Sequence, residues 1–178
     1  MFKVSYRFVD DNLSLFSGIS AEQFDKEFGD ISGQIELNFN ENTIGFFHKD
    51  VPFGNEILLH WFNRLNEVVC SLQDSKYVAM NQVENNNWVE FVREESRLKI
   101  NLIVNPSISE IHGFITKIPF PNYEAREWSN IIISYDAFKN EIRRNTEQLM
   151  IQLKELNINL LDTIKVIQIK NLLEKCYD

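Results

Sequence analysis

The sequence predicts an α+β fold: a mainly antiparallel sheet of about six to seven strands, one central helix and a C-terminal helical hairpin. Three observations carry this. Asn55 to Leu72 places Leu58, Trp61, Phe62, Leu65, Val68, Val69 and Leu72 at helical spacing. Short runs on either side of it alternate apolar and polar residues, the period of a half-buried strand. From Ser134 onward the pattern is helical. Strands first and helices last is the α+β order, and the three central runs lie too close together for parallel crossovers.

Lys3 to Val9 opens the chain as a strand with Val4, Tyr6 and Phe8 on one face. Ser20-Ala-Glu-Gln23 is a capping box, Ile19 can staple to Phe24, and Gly29 suits the left-handed residue closing this short helix. Gln34 to Asn40 and Ile44 to Val51 then read as a hairpin turned through Asn40-Glu-Asn-Thr43. Pro52 and Gly54 end it. Asn55 is placed to cap the long helix, with Glu56 in its first turn.

Four runs follow: Tyr77 to Val83, Trp88 to Glu94, Leu98 to Val104 and Ile111 to Ile118. Turn residues between the first three predict an antiparallel meander. Trp128 to Ser134 is a last strand or the lead into a helix. Ser134 caps that helix, Ile133 staples to Phe138, and Phe138, Ile142, Leu149, Leu153 and Leu156 form its stripe. A final helix from about Leu160 to Cys176 should bury Ile164, Ile167 or Ile169, Leu172 and Leu173. No linker or repeat divides the chain, so one domain over residues 1–178 is expected, sheet-rich over 1–133 and helical over 134–178.

Composition narrows the function classes. A 44% hydrophobic share with fourteen Phe and three Trp argues for an aromatic core. A formal charge of −8 disfavours nucleic acid and favours encounter with a basic partner. No window approaches the about 18 apolar residues of a membrane helix, and the amino end lacks a signal-peptide block. A cytoplasmic protein is the expectation. Cys70 and Cys176 form no CxxC pair, so both are read as reduced packing or surface thiols.

No residue pattern carries a reaction. His48 and Asp50, two apart on one strand face, supply at most two ligands, short of a zinc site. His60 borders the apolar stripe of the long helix. His112, beside Gly113, is the histidine to test first. Ser96-Arg-Leu-Lys99 bridges a turn and a strand, which separates the pair that acylating enzymes hold on a helix. Asp10-Asp11 and Glu94-Glu95 sit at strand ends where neighbouring side chains diverge. There is no glycine-rich phosphate loop. No metal or cofactor is expected, and catalysis is not favoured.

The remainder is an aromatic, acidic face. If Val89 and Phe91 fill the core, Trp88 lies wet beside Glu90 and Glu94, a patch suited to a basic protein. The competing expectation is that the C-terminal helices cover Trp88. The functional reading is therefore a non-catalytic bacterial binding module, an immunity-type inhibitor neutralising a basic toxin by occlusion. The alternative is a small-ligand protein or enzyme whose site gathers His112, His48 and Glu90. Self-association through the last helices is a third role for the surface.

Overall fold

The computed structural model describes residues 1–82, 86–104 and 113–177. Among these residues ten strands and five α-helices follow the expected α+β order, with the strands divided between two antiparallel sheets rather than gathered in one. The first sheet joins β1 (Phe2–Phe8), β2 (Ser32–Phe39) and β3 (Asn42–Phe46), with the short β4 (Glu56–Ile57) pairing on β2. The second has β5 (Tyr77–Asn81), β6 (Asn87–Glu94) and β7 (Arg97–Val104) as its meander. The short β8 (Ile115–Thr116) flanks β5, while β9 (Glu124–Ala125) and β10 (Ile131–Ser134) lie along β7.

Between the meander and the first sheet runs α3 (Leu58–Asp74), preceded in the chain by the short α1 (Leu13–Phe16) and α2 (Ala21–Glu27). Ser20 accepts from the Gln23 amide at 3.2 Å, as its capping role requires, and Gly29 takes φ +67° to close α2. The reciprocal half of the capping box is not made, because the Gln23 amide reaches Glu27 instead. The β2–β3 turn needs only Asn40 and Glu41, at φ +49° and +74°. Positive φ at both central residues is the type I′ pattern that matches strand twist, here without a glycine.

The second hairpin strand stops at Phe46, not at Val51. Residues 47–55 instead fold back over the outer face of the first sheet. Gln34 donates to the Val51 and Phe53 carbonyls and accepts from the His48 amide, and Arg7 donates to Lys49 and Val51. Gly54 lies so close to the Gly33 carbonyl that a methyl there would collide with it. His48 and Asp50 are therefore exposed loop residues, not neighbours on a strand.

Asn55 does not cap α3. The helix begins at Leu58 with Ile57 at its N-cap position and no local side-chain cap. Asp30 does the work from the entry to β2, which pairs with the residues just before α3. Its carboxylate accepts from the Leu59 amide at 2.8 Å and the His60 amide at 3.1 Å, and from Ile31 beside it at 2.8 Å. Lys165 closes the set at 2.8 Å. A carboxylate here satisfies orphan amides and opposes the positive end of the helix dipole.

Ser134 caps α4 (Tyr135–Leu156) through the Ala137 amide, and Phe138, Ile142, Leu149 and Leu153 are buried as the stripe predicts. A 3-10 turn (Ile158–Asp162) leads into α5 (Ile164–Tyr177). The buried face of α5 is Val166, Ile169 and Cys176, while Ile164 and Ile167 point to solvent. The 3-10 turn resets the helical phase, which sequence spacing alone does not register. Phe2, Phe39, Phe91 and Phe138 stack where the sheets and α4 meet, with Trp128 against Phe39. Among the described residues no helix is long and apolar enough to cross a membrane.

The cysteines depart from expectation. Helix α5 runs parallel to α3, pairing Asn63 with Gln168 and Gln73 with the Cys176 carbonyl. This brings Cys70 and Cys176 to a Cα separation of 5.1 Å, where they form a disulfide rather than two separate thiols. A separation of 106 positions in sequence hides a proximity that only helix packing creates.

Two stability outcomes follow. Asp30→Ala should lower the unfolding free energy by about 2–3 kcal/mol in urea melts, since it strands charge-assisted bonds at a helix start. Lys165→Ala should cost under about 1 kcal/mol, being partly exposed. Reducing Cys70–Cys176 should cost about 2–4 kcal/mol, read as a lower Tm in dithiothreitol that the Cys70→Ser variant does not show.

Candidate functional site

Alternation along the meander assigns each side chain to a face. Val78, Met80, Val89, Phe91, Leu98 and Ile100 point inward to the helices and the first sheet. Cross-strand pairing puts Trp88 beside Asn81 and Ile103, Glu90 between Ala79 and Asn101, and Val92 between Tyr77 and Lys99 on the outer face. The face was correctly read from sequence. Its exposure was not.

Trp88 is only 3% exposed, and Glu90 only 5%. Neither the open patch nor a helical cover is found. The C-terminal helices pack on the inner side, and the outer face is roofed by the chain between β8 and β10. Phe120 sits edge-on to Trp88 with ring centroids 4.9 Å apart, completing a small cluster with Ala79, Ile103 and Tyr77. Of the three residues expected at a partner interface, only Glu94 is exposed, at the end of β6. Pro119 and Pro121 mark a loop in the sequence, but nothing local states that the loop folds back over the sheet.

The roof is incomplete. Below it lies a recess of about 410 Å³ lined chiefly by Tyr77, Glu90, Lys99, Asn101, Phe120 and Tyr123. Glu90 accepts a short hydrogen bond from the Asn101 amide group, and Asn101 in turn accepts from the Asn130 backbone at 2.7 Å. Asn130 adopts φ +57° where the chain kinks between β9 and β10, so Asn101 locks the roof to the carboxylate. Among the described residues no basic side chain forms an ion pair with Glu90. A carboxylate this buried, held by one neutral donor, gains most from a cationic guest.

The walls suit the same guest. Tyr77, Phe120 and Tyr123 offer aromatic faces and edges, which attract a desolvated cation. The Tyr77 hydroxyl faces the Glu90 carboxylate and the Phe120 backbone, yet neither contact has the geometry of a formed hydrogen bond. Burial first, and the Glu90 charge second, push its phenol well above the ordinary tyrosine range. Lys99 lies two register pairs along from Glu90 on the same face, giving the recess an acidic and a basic end.

The dispersed-histidine alternative calls on His48, His112 and Glu90. His48 lies in the loop over the first sheet, away from Glu90, which belongs to the second. His112 falls outside the described residues. Among the described residues no group of three His, Cys, Asp or Glu side chains is placed to hold a metal ion. A second groove, of about 620 Å³, runs along the seam of α3 and α5 and is lined by Glu67, Cys70, Asp74, Lys117, Asn171 and Lys175 among others. Its charges are mixed and mostly solvated. No family model matches the chain, and comparisons with curated proteins and with solved structures find no similar protein.

Tyr77 supplies the test of this geometry. A raised phenol pKa means that the folded state retains its proton longer than the unfolded one. The stabilisation is complete below about pH 10 and is lost as pH rises towards the folded value. Ultraviolet titration of wild type minus Tyr77→Phe should show one phenol ionising late, and Glu90→Gln should move it part of the way back.

Proposed function

We propose that the protein is a non-catalytic binding module that captures a basic protein partner, with a lysine or arginine of that partner entering the recess above Glu90. In its concrete form it is an immunity-type inhibitor of a bacterial toxin, acting in the cytoplasm by occluding the toxin's working surface. The observation that carries the reading is the Glu90 carboxylate, buried without an ion pair among the described residues, in a recess walled by Tyr77, Phe120 and Tyr123 with Lys99 at its far end. The formal charge of −8 supports it by drawing a cationic partner at long range. Glu94 and Glu95, exposed at the β6–β7 turn, extend the acidic surface. In a reducing cytoplasm Cys70 and Cys176 would stand as two buried thiols.

One observation favours a second reading at the same place. About 410 Å³ falls within the usual range for small-molecule sites, so a free amine is a chemically equivalent guest. It would meet the same carboxylate and rings without a protein surface around them.

The experiment is co-purification with the product of the neighbouring gene, followed by light scattering of the complex and a salt titration. A defined heteromeric mass that weakens with salt is expected. Glu90→Gln should reduce affinity about tenfold, on the order of 1.4 kcal/mol, whereas rim-exposed Glu94→Gln should change it little. Failure to form a complex, or a mass that reports only self-association, opposes the reading.

A further inference from the structure

Helix α3 carries a second polar cluster, of opposite sign and away from Glu90. Arg64 is 2% exposed, an unusual place for a guanidinium. Its Nη1 donates to the Asn81 carbonyl at 2.8 Å. Its Nε and Nη2 have no hydrogen-bond partner among the described residues. The guanidinium carbon lies 4.6 Å from the Trp61 ring centre and 5.3 Å from that of Phe114, so the charged plane is packed between two rings. One turn earlier, His60 packs edge-on to the same Phe114 ring at 4.7 Å, and its Nε2 is also buried without a partner. Among the described residues, the acidic groups whose charge acts on Arg64 are Glu56 and Asp30, and both are already engaged. Glu56 accepts from the Trp61 indole, and Asp30 accepts from the start of α3 and from Lys165.

Among the described residues three nitrogens on one helix face are thus dehydrated and without a hydrogen-bond partner, each on a side chain touching Phe114. Rings can stabilise the guanidinium charge but cannot accept its hydrogen bonds with the strength of an oxygen. Burial pulls Arg64 down to about 10, which leaves it protonated at neutral pH. An anion is the missing component. The Nε–Nη2 edge of arginine is a planar fork whose spacing matches two oxygens of a carboxylate or phosphate.

We infer that Arg64 and His60 form an oxyanion-binding site, in which a carboxylate or phosphate group lies on the Nε–Nη2 edge of Arg64 beside His60 Nε2. Phe114 is its cover. That ring is 37% exposed and tethered through its backbone carbonyl to the Asn81 amide, so it can swing outward while the strand pairing beneath it stays in place. Trp61 remains stacked on the guanidinium and holds the fork in position. The site is separate from the recess over Glu90 and takes a guest of the opposite charge.

Calorimetry and thermal melts with sodium phosphate or sodium acetate, at ionic strength matched with chloride, test this on the intact protein. A saturable rise in Tm with either anion is expected. A response to phosphate alone assigns a phosphoryl ligand, and a response to acetate alone a carboxylate; each supports the site. Arg64→Lys, which keeps the charge and loses the fork, should weaken binding about tenfold. Phe114→Ala should leave the fork intact and speed or tighten anion binding, and it decides the matter if Arg64→Lys does not fold. No anion effect beyond chloride, unchanged affinity in a folded Arg64→Lys, or unchanged binding rate and affinity in Phe114→Ala would overturn the assignment.

Discussion

The Asp30 carboxylate is the constraint on which the rest of the architecture depends. Four donors converge on it: the amide beside it, two amides at the start of α3, and the Lys165 ammonium. These tie the entry to β2, the amino end of α3 and the first turn of α5 to one point. The tie also fixes the axial position of α3 against both sheets. Once that position is set, Phe62 meets Tyr6, Cys70 meets Cys176, and His60 with Arg64 reaches Phe114. An exposed carboxylate would contribute little. This one is 8% exposed and bonded to backbone amides, where hydrogen bonds to a charge count most.

With α3 and α4 filling the inner side of the meander, the outer side needs another cover. The chain between β8 and β10 supplies it, and the Asn101–Asn130 contact sets its height. Trp88 is sealed under Phe120, while two register pairs away the same roof leaves Glu90 in a recess. The polar floor survives because Asn101 bonds both the carboxylate and the roof. An acidic group in a partly dry, aromatic setting is what distinguishes this face from an ordinary solvated sheet.

Local signals were legible and long-range ones were not. The α3 stripe, the caps at Ser20 and Ser134 and the alternation of β6 and β7 each depend on residues a few positions apart, and each is found. The true α3 cap lies 29 positions from Leu59, and no spacing rule reaches that far. Asn40-Glu41 makes a two-residue turn that its composition does not advertise, because Glu41 tolerates a left-handed conformation only with strand pairing on either side. The candidate site divides the same way. Glu90 and Trp88 were placed on the correct face, since alternation dictates it, but the fold-back of Phe120 decides their exposure and has no local signature. Arg64 reads by local rules as an ordinary polar residue on an apolar helix. An arginine flanked by Trp61 and Leu65 in a stripe so regular is itself a sign of a buried charge.

Fluorine NMR of the protein labelled with 5-fluorotryptophan tests the central claim most directly, because its three tryptophans occupy three different settings. Trp88 lies beneath the roof of the Glu90 recess, Trp61 stacks on Arg64, and Trp128 packs on Phe39. On addition of the basic partner the Trp88 resonance should move, and Glu90→Gln should diminish that change at equal partner concentration. A complex that forms while the Trp88 signal stays fixed would place the docking surface elsewhere and contradict the account.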